Sequence, residues 1–320
     1  MLEITDKKIP LVIITGPTAV GKTSSSVAVA KRLNGEIISA DSMQVYRGMD
    51  IGTAKITEAE KQGIRHYLID EFEPDEDFNV TVFKERALKY IGEIYSKGKL
   101  PIIAGGTGFY IQSVLYDVEF SEYDDDEMNA VKQELQKELE EKGIDYIYDR
   151  LKKTDPEYAA IIHKNNTRRV INGIAFNSVT GKKLSEHNDE QRVRTSPFDF
   201  RYIVINDDKA CLYDRINKRV DRMIENGLVE EVKYLLFEKK YSRQLPSMLG
   251  LGYKEISDFL CNECSLEKAV ELIKRDTRHF AKKQLTWFKR ERSVTEIYRP
   301  DYTDEGAMLE KIIETAAEVL

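Results

Sequence analysis

A glycine-rich turn near the start of the chain is the sequence feature that most constrains the fold. The apolar run Ile9–Thr15 before the turn is typical of a buried strand, and the spacing of apolar residues over 24–33 predicts a helix after it. A strand, a glycine loop and a helix in this order surround a phosphate with backbone amides and a helix N-terminus. Lys22 would then reach a terminal phosphate and Thr23 would place its hydroxyl on Mg²⁺. The residues that match this phosphate-binding loop (P-loop) are Gly16, Pro17, Thr18, Ala19, Val20, Gly21, Lys22 and Thr23.

The pattern of the remaining chain predicts an α/β fold with a P-loop NTPase-like parallel sheet flanked by helices. Strand and helix patterns alternate over the first hundred residues, and such alternation is typical of a parallel sheet. Only helical patterns occur over 121–198, which predicts an all-helical insertion domain between the two parts of a core, 1–120 and 199–320. Further strands are expected at 36–40, 66–70, 100–104 and 200–205, and helices at 81–95, 208–226, 228–239 and 265–291.

Composition sets broader limits. The chain has 320 residues, of which 41% are hydrophobic, so it can bury a full-sized core. Its net charge of −7 weighs weakly against a nucleic-acid partner, although local basic patches matter more than the total. No apolar run is long enough to cross a bilayer and the start lacks a signal-peptide pattern, so we expect a cytoplasmic protein with no membrane partner. Cys261 and Cys264 have C-x-x-C spacing, but no second pair completes a zinc site.

Two loops follow predicted strands and should lie beside the P-loop, because ligands collect at the carboxyl ends of parallel strands. Asp41 follows the second strand and is either a general base for a second substrate or a turn aspartate that binds its own backbone. The glycines of 105–108 permit close approach of a ligand, and Thr107 would be a neutral hydroxyl beside it. No carboxylate ends the strand at 100–104, so a P-loop kinase or ATPase is not favoured.

Two basic stretches leave alternatives open. Arg215 and Arg219 are four residues apart and share a helix face, where they could clamp a diphosphate or form surface salt bridges. The stretch 274–284 is the most basic of the chain, and aromatic residues occur both within it and after it. It is either an RNA surface or a charged helix packed by Phe280, Leu285 and Phe288.

Taken together, these stretches resemble one family, the tRNA dimethylallyltransferases, also called tRNA isopentenyltransferases. The likeness covers nearly the whole chain, and a P-loop followed by the loop at 41–44 and the segment at 105–111 is highly specific. The resemblance implies transfer of a dimethylallyl group from its diphosphate to the exocyclic amine of the adenine on the 3′ side of the anticodon in tRNA. The matching stretches are 16–23, 38–55, 105–111, 215–232, 251–256 and 278–290.

The resemblance also implies roles for individual residues. Asp41 would be the general base, Thr107 would contact the adenine, and Lys22 would act with Arg219 on the diphosphate. The diphosphate would be held by residues 16–23, with Mg²⁺ on Thr23, and by Arg219 from across a channel. The helical insertion and the basic helix near residue 280 would grip the anticodon stem-loop of the tRNA, and the protein is expected to be a monomer. The implied tRNA contacts are Asp41, Ser42, Met43, Gln44, Thr107, Arg168, Arg169, Arg278, Lys282, Lys283 and Gln284.

The chain departs from the family pattern in one segment of the insertion. Where the family has an R-V-I-R-A-L-E type helix, this sequence has Asn172 in place of the arginine and Ala175 in place of the glutamate. Gly173 costs the helix about 1 kcal/mol relative to alanine. A related adenylate isopentenyltransferase, which uses a free nucleotide, is the alternative reading, and a P-loop kinase or a non-catalytic RNA-binding protein are the others.

Overall fold

Six parallel strands form the centre of the protein in a computed structural model that describes residues 8–116, 125–193 and 195–320. The strand order is β3-β2-β4-β1-β5-β6, and helices flank the sheet. This arrangement confirms the predicted fold class. The strands are β1 (Ile9–Thr15), β2 (Gly35–Ala40), β3 (His66–Tyr67), β4 (Leu100–Gly105), β5 (Phe198–Asn206) and β6 (Val294–Tyr298).

Apolar residues of the central strands and of the helices packed on them form the core. Residues 11–14 of β1 are fully buried, as expected for a strand covered on both faces. The helices of the first half are α1 (Lys22–Arg32), α2 (Glu58–Lys61), α3 (Val80–Ser96), α4 (Gly108–Leu115), α5 (Asp125–Thr154), α6 (Pro156–Ile161), α7 (Thr167–Thr180) and α8 (Leu184–Val193). Those of the second half are α9 (Lys209–Glu225), α10 (Leu228–Lys233) with a π-helical turn (Tyr234–Glu238), α11 (Tyr253–Leu260), α12 (Leu266–Phe288), a 3₁₀ turn (Arg299–Asp301) and α13 (Glu305–Ala317).

The strand register brings three loops to one edge of the sheet. Thr15 of β1 pairs with Gly105 of β4, and Gly105 pairs in turn with Ala40 of β2. The hydroxyl of Thr15 donates a hydrogen bond of 2.7 Å to the carbonyl of Gly105, which fixes this row. The P-loop, Asp41 and Gly106 therefore leave the sheet side by side.

The chain divides into two compact units. One unit comprises Met1–Leu115 and Pro197–Leu320, and the other Tyr116–Ser196. The predicted change after residue 120 lies outside the described residues, and the other was predicted after residue 198. Helices α5 to α8 make up the second unit, and Gly143 interrupts α5 with a φ of +80°. Gly173 lies where α7 packs closely, because a Cβ there would meet the ring of Tyr158 at 2.9 Å.

Two strands differ from the sequence prediction. β3 spans two residues rather than 66–70, because Leu68 and Asp70 adopt positive φ angles and the chain turns away. β6 was not predicted; it is a short edge strand in which only Ile297 is buried, so it lacks an apolar pattern. Among the residues that the structure describes, no helix combines the length and the apolarity needed to cross a bilayer.

Candidate active site

The P-loop curves from β1 into the first turn of α1 and is held from both sides. Gly16 has no space for a side chain, because a Cβ would lie 2.2 Å from the carbonyl oxygen of Ile205 in β5. The Lys22 ammonium folds over the loop and donates to the carbonyls of Gly16 at 3.0 Å and Pro17 at 2.8 Å. The sequence motif therefore has the compact loop that phosphate binding requires.

Asp41 lies directly beyond β2 with its carboxylate oriented by the following turn. Its Oδ1 accepts hydrogen bonds from the backbone amides of Met43 at 2.9 Å and Gln44 at 3.3 Å. The structure confirms that Asp41 caps its own turn, and Asp41 also lines the cavities described below, so its role as a general base stays a prediction. Among the described residues, no group donates a hydrogen bond to Oδ2, which leaves this oxygen available to a substrate proton.

Gln284 of α12 ties the P-loop to the loop that follows β4. Its Oε1 accepts a hydrogen bond from the amide of Thr18 at 2.9 Å, and its Nε2 donates to the carbonyl of Gly106 at 3.0 Å. We predicted Gln284 as a tRNA contact within a basic surface; the structure buries it in the frame of the site, where it lines both cavities described below, and its contact with tRNA stays a prediction. The glycine loop also differs from expectation, because it approaches α12 rather than only a ligand: a Cβ on Gly106 would lie 2.2 Å from Gln284.

Arg219 and Arg215, which share a face of α9, have different partners. Arg219 donates through Nη2 to the carbonyl of Thr53 at 3.3 Å and lies close to Asp41 and Lys22. Arg215 forms an ion pair with Asp207, a buried carboxylate at the end of β5. Arg215 therefore forms a salt bridge, one of its two predicted alternatives, whereas contact of either arginine with a diphosphate stays a prediction.

Two cavities of one unit meet at this edge of the sheet. The first, of about 390 Å³, is called the basic cavity. Its charged lining residues are Lys22 of the P-loop, three arginines of α9 and two carboxylates: Arg215, Arg219, Arg222, Asp41 and Glu60. The second, of about 330 Å³, is called the apolar cavity; Val220, Met223, Leu249, Ile273 and Phe280 form most of its hydrophobic wall. Six residues line both cavities and so mark their junction: Thr18, Asp41, Gly106, Arg219, Phe280 and Gln284.

The electrostatics of the basic cavity favour an anion. Burial and the neighbouring charge of Arg219 lower the pKa of Lys22 to about 7, and Asp41 offsets part of this effect. Burial likewise lowers the pKa of Arg219, against the attraction of Asp41. Two cations crowded together in a deep cleft lose hydration and repel each other, so a bound diphosphate would stabilise the charged form of both.

The donor set suits Mg²⁺ only if a substrate supplies further oxygens. In the described part of the chain, no cluster of three or more His, Cys, Asp or Glu side chains is arranged to hold a metal ion. Thr23 nevertheless lines the basic cavity beside Lys22 and Asp41, so a hydroxyl oxygen is present where the P-loop opens. Mg²⁺ commonly takes one or two protein oxygens and completes its shell with phosphates and water. The residues therefore fit this ion.

The predicted RNA-contact residues are distributed over several surfaces. Ser42, Met43 and Thr107 line the apolar cavity. Gln44 instead braces its loop, because its Nε2 donates to the carbonyls of Thr53 and Ala54. Lys282 and Lys283 are exposed on α12, and Arg278 donates to Asn217 of α9 at 2.6 Å. Arg168 and Arg169 are exposed near the start of α7, in the other unit.

The roles of several site residues were not predicted from the sequence, although two of them, Glu231 and Tyr253, lie in stretches that match the family. Arg299 follows β6 and donates to the carbonyl of Val20 in the P-loop at 2.8 Å, so an element near the end of the chain braces the loop near its start. Glu231 of α10 accepts hydrogen bonds from three amides of the loop 50–52 and from Tyr253. Both residues act across long sequence separations, which local patterns do not report.

Comparisons with known proteins agree with one another. The model of the family described as IPP transferase matches residues 44–291. The tRNA dimethylallyltransferase of Lachnoclostridium phytofermentans is 55% identical over 309 residues, which cover 97% of this chain and 98% of that protein. A crystal structure of the tRNA isopentenylpyrophosphate transferase of Bacillus halodurans is similar with a TM-score of 0.73 and 42% identity, and the match covers 98% of this chain and 97% of that one. A structure of a eukaryotic dimethylallyltransferase acting on tRNA has a TM-score of 0.75 and 29% identity, over 95% of this chain and 77% of that one.

Proposed function

The chain belongs to the IPP transferase family, and we propose that it transfers the dimethylallyl group of dimethylallyl diphosphate to the exocyclic amine of the adenine 3′-adjacent to the anticodon in tRNA. The observation that carries the proposal is the junction of the two cavities. A cavity rich in cations meets a cavity with an apolar wall at Asp41 and Arg219, so a diphosphate and a flat aromatic base would face each other across a carboxylate.

The basic cavity stabilises the leaving group. As the carbon–oxygen bond of an allylic diphosphate breaks, negative charge grows on the diphosphate while the allyl carbon becomes cationic. The P-loop amides, the Lys22 ammonium and the Arg219 guanidinium are fixed around this charge before the reaction starts, which lowers the barrier more than mobile water could. Mg²⁺ bound at Thr23 would add charge neutralisation on the phosphate oxygens.

Asp41 removes the proton of the attacking amine. The adenine amine is a weak nucleophile because its lone pair is delocalised into the ring, so the amine must lose a proton as its nitrogen forms the bond to carbon. The backbone amides of Met43 and Gln44 hold Oδ1 of Asp41, and Oδ2 is left to accept this proton. Thr107 lines the same cavity and would hold the base by its hydroxyl.

The acceptor adenine would enter the apolar cavity as a flipped base. Leaving the stack costs a few kcal/mol, and less in a single-stranded loop than in a duplex. Exposed Lys282 and Lys283 on α12 would bind phosphates of the anticodon stem-loop, with Arg278 beside them and with Arg168 and Arg169 from the helical insertion. We further propose that the enzyme acts in the cytoplasm as a monomer, since one chain lines both cavities.

A transfer assay tests the proposal. Purified protein and Mg²⁺ are mixed with radiolabelled dimethylallyl diphosphate and with either unmodified tRNA or AMP. Label that enters only tRNA is expected. Label that enters AMP would instead identify a free-nucleotide enzyme, and absence of transfer together with ATP consumption in a parallel reaction would identify a kinase or ATPase.

A further inference from the structure

The position of Arg219 depends on a loop that has no regular secondary structure. The loop 50–54 lines the apolar cavity with Gly52 and Thr53. The carbonyl of Thr53 accepts from Arg219 Nη2 at 3.3 Å and from Gln44 Nε2 at 3.2 Å. Because the guanidinium of Arg219 is held by a main-chain oxygen, a shift of this loop would shift the cation that faces the diphosphate.

A single carboxylate holds the other side of the same loop. Glu231 Oε2 accepts from the amides of Asp50 at 2.9 Å and Ile51 at 2.7 Å, and its Oε1 accepts from the amide of Gly52 at 3.1 Å. Three consecutive amides that converge on one side chain require an acceptor without protons of its own. A carboxylate meets this requirement, whereas an amide side chain would point N–H groups at N–H groups.

Tyr253 completes the clamp from α11. Its hydroxyl donates to Glu231 Oε1 at 2.6 Å, and its ring is fully buried. The loop presses on this ring so closely that a Cβ on Gly52 would lie 2.5 Å from it. The Glu231 carboxylate is therefore held by the loop amides on one side and by the Tyr253 hydroxyl on the other.

We propose that Glu231 is a positioning residue for the diphosphate site: it sets the loop 50–54, and through the carbonyl of Thr53 it aims Arg219 into the basic cavity. This inference rests on the proposed function for the identity of the diphosphate. This role of Glu231 differs from a contribution to overall stability, because Glu231 would affect diphosphate binding through the position of Arg219.

A double-mutant cycle on binding tests the link. The dissociation constant for inorganic pyrophosphate with Mg²⁺ is measured by calorimetry for the wild type, Glu231→Gln, Arg219→Gln and the double variant. Glu231→Gln is expected to weaken binding about tenfold, the loss typical of a hydrogen-bonded charge. In the Arg219→Gln background the same substitution is expected to change the constant less than about twofold, since the cation it positions is gone.

Matched measurements separate this role from a structural one. Glu230→Gln neutralises the neighbouring, exposed carboxylate of α10 and is expected to leave pyrophosphate binding unchanged. In the transfer assay, Glu231→Gln is expected to raise the KM for dimethylallyl diphosphate more than the KM for tRNA, although Gly52 and Thr53 of the same loop also line the apolar cavity. Unchanged pyrophosphate affinity in Glu231→Gln, or equal losses in both Arg219 backgrounds, would overturn the proposal, whereas a wild type that binds pyrophosphate without prenyl transfer would refute only the proposed function.

A second variant covers the case in which Glu231→Gln does not fold, as judged by circular dichroism. Tyr253→Phe removes one hydrogen bond from the carboxylate and keeps the buried ring. It is expected to weaken pyrophosphate binding a few-fold in the wild-type background and not in the Arg219→Gln background. Equal effects in the two backgrounds would overturn the proposal here as well.

Discussion

The basic cavity and the apolar cavity share six lining residues but are built in different ways. The basic cavity takes six of its lining residues from one local stretch, 18–24, and three arginines from α9, and the loops after β2 and β4, α2 and α12 supply the others. The apolar cavity is assembled from loops after β2 and β4, from α9 and α12, and from the segment 249–253. The basic cavity therefore contains one element that is set by local backbone geometry, the P-loop, whereas the apolar cavity depends almost entirely on packing between distant elements.

The difference also concerns what each cavity does to a substrate. In the proposed reaction, charge in the basic cavity would act on the leaving group, and the apolar wall would exclude water from a carbocation that water would otherwise capture. Asp41 and Arg219 lie where the two environments meet. Substitutions on either side of this junction should therefore separate effects on the diphosphate, on proton transfer and on tRNA.

The largest effect is expected at the junction itself. Asp41→Asn keeps the size of the side chain and its capping oxygen but removes the base, so kcat should fall about 10²-fold or more. The affinity for tRNA should stay within a few-fold of wild type in a filter-binding assay. Asp75→Asn, an exposed carboxylate of the same unit, is the control and should keep full activity. Equal losses of binding and rate would make Asp41 a docking residue.

We expect kcat/KM for dimethylallyl diphosphate to depend on pH, because Lys22 lines the basic cavity and not the apolar cavity. Lys22 has a pKa of about 7, so it is cationic below pH 7 and becomes neutral above it. The ratio kcat/KM for dimethylallyl diphosphate should therefore fall as pH rises from 7, by up to about tenfold per unit. Initial rates from pH 6 to 9 at subsaturating diphosphate measure this slope.

Lys22→Arg is the matched control for that slope. Guanidinium stays charged across the range, so the fall above pH 7 should disappear even if the rate is lower throughout. Burial also raises the pKa of Glu291 to about 7, and only the lysine variant separates the two groups. A slope that persists in Lys22→Arg would assign the titration to a group other than Lys22.

A substitution of Gln284 tests how much its hydrogen bonds between the P-loop and the loop after β4 contribute to stability. Gln284→Met fills the same space but leaves the amide of Thr18 and the carbonyl of Gly106 without their partner, which should cost about 1–3 kcal/mol of unfolding free energy. A lower midpoint in urea unfolding is the expected result. Thr286→Met, on the exposed face of α12, should not change the midpoint. An unchanged midpoint in Gln284→Met would mean that this bridge contributes nothing to stability.

The sequence predicted features with local geometry far better than contacts between distant elements, for a physical reason. The P-loop is specified by a run of eight residues whose geometry is local, and Asp41 and Thr107 follow strands whose ends must meet at one edge. Glu231, Tyr253 and Arg299 act through contacts across long separations, and β6 is too short to show alternation. The role of Gln284 was missed because its neighbours Lys282 and Lys283 made the stretch read as a surface.

The smallest effect is expected on the exposed face of α12, outside the two cavities. Lys282 is exposed, so Lys282→Ala should weaken tRNA binding only a few-fold at moderate salt. The slope of log Kd against log salt should become shallower by roughly 0.7–0.9, the contribution of one phosphate contact. Lys268→Ala is the control, because this exposed lysine lies on nearly the same side of α12, about 21 Å nearer its start. A salt slope that is equal in both variants and the wild type would place the RNA away from this surface and leave the apolar cavity to recognise the base alone.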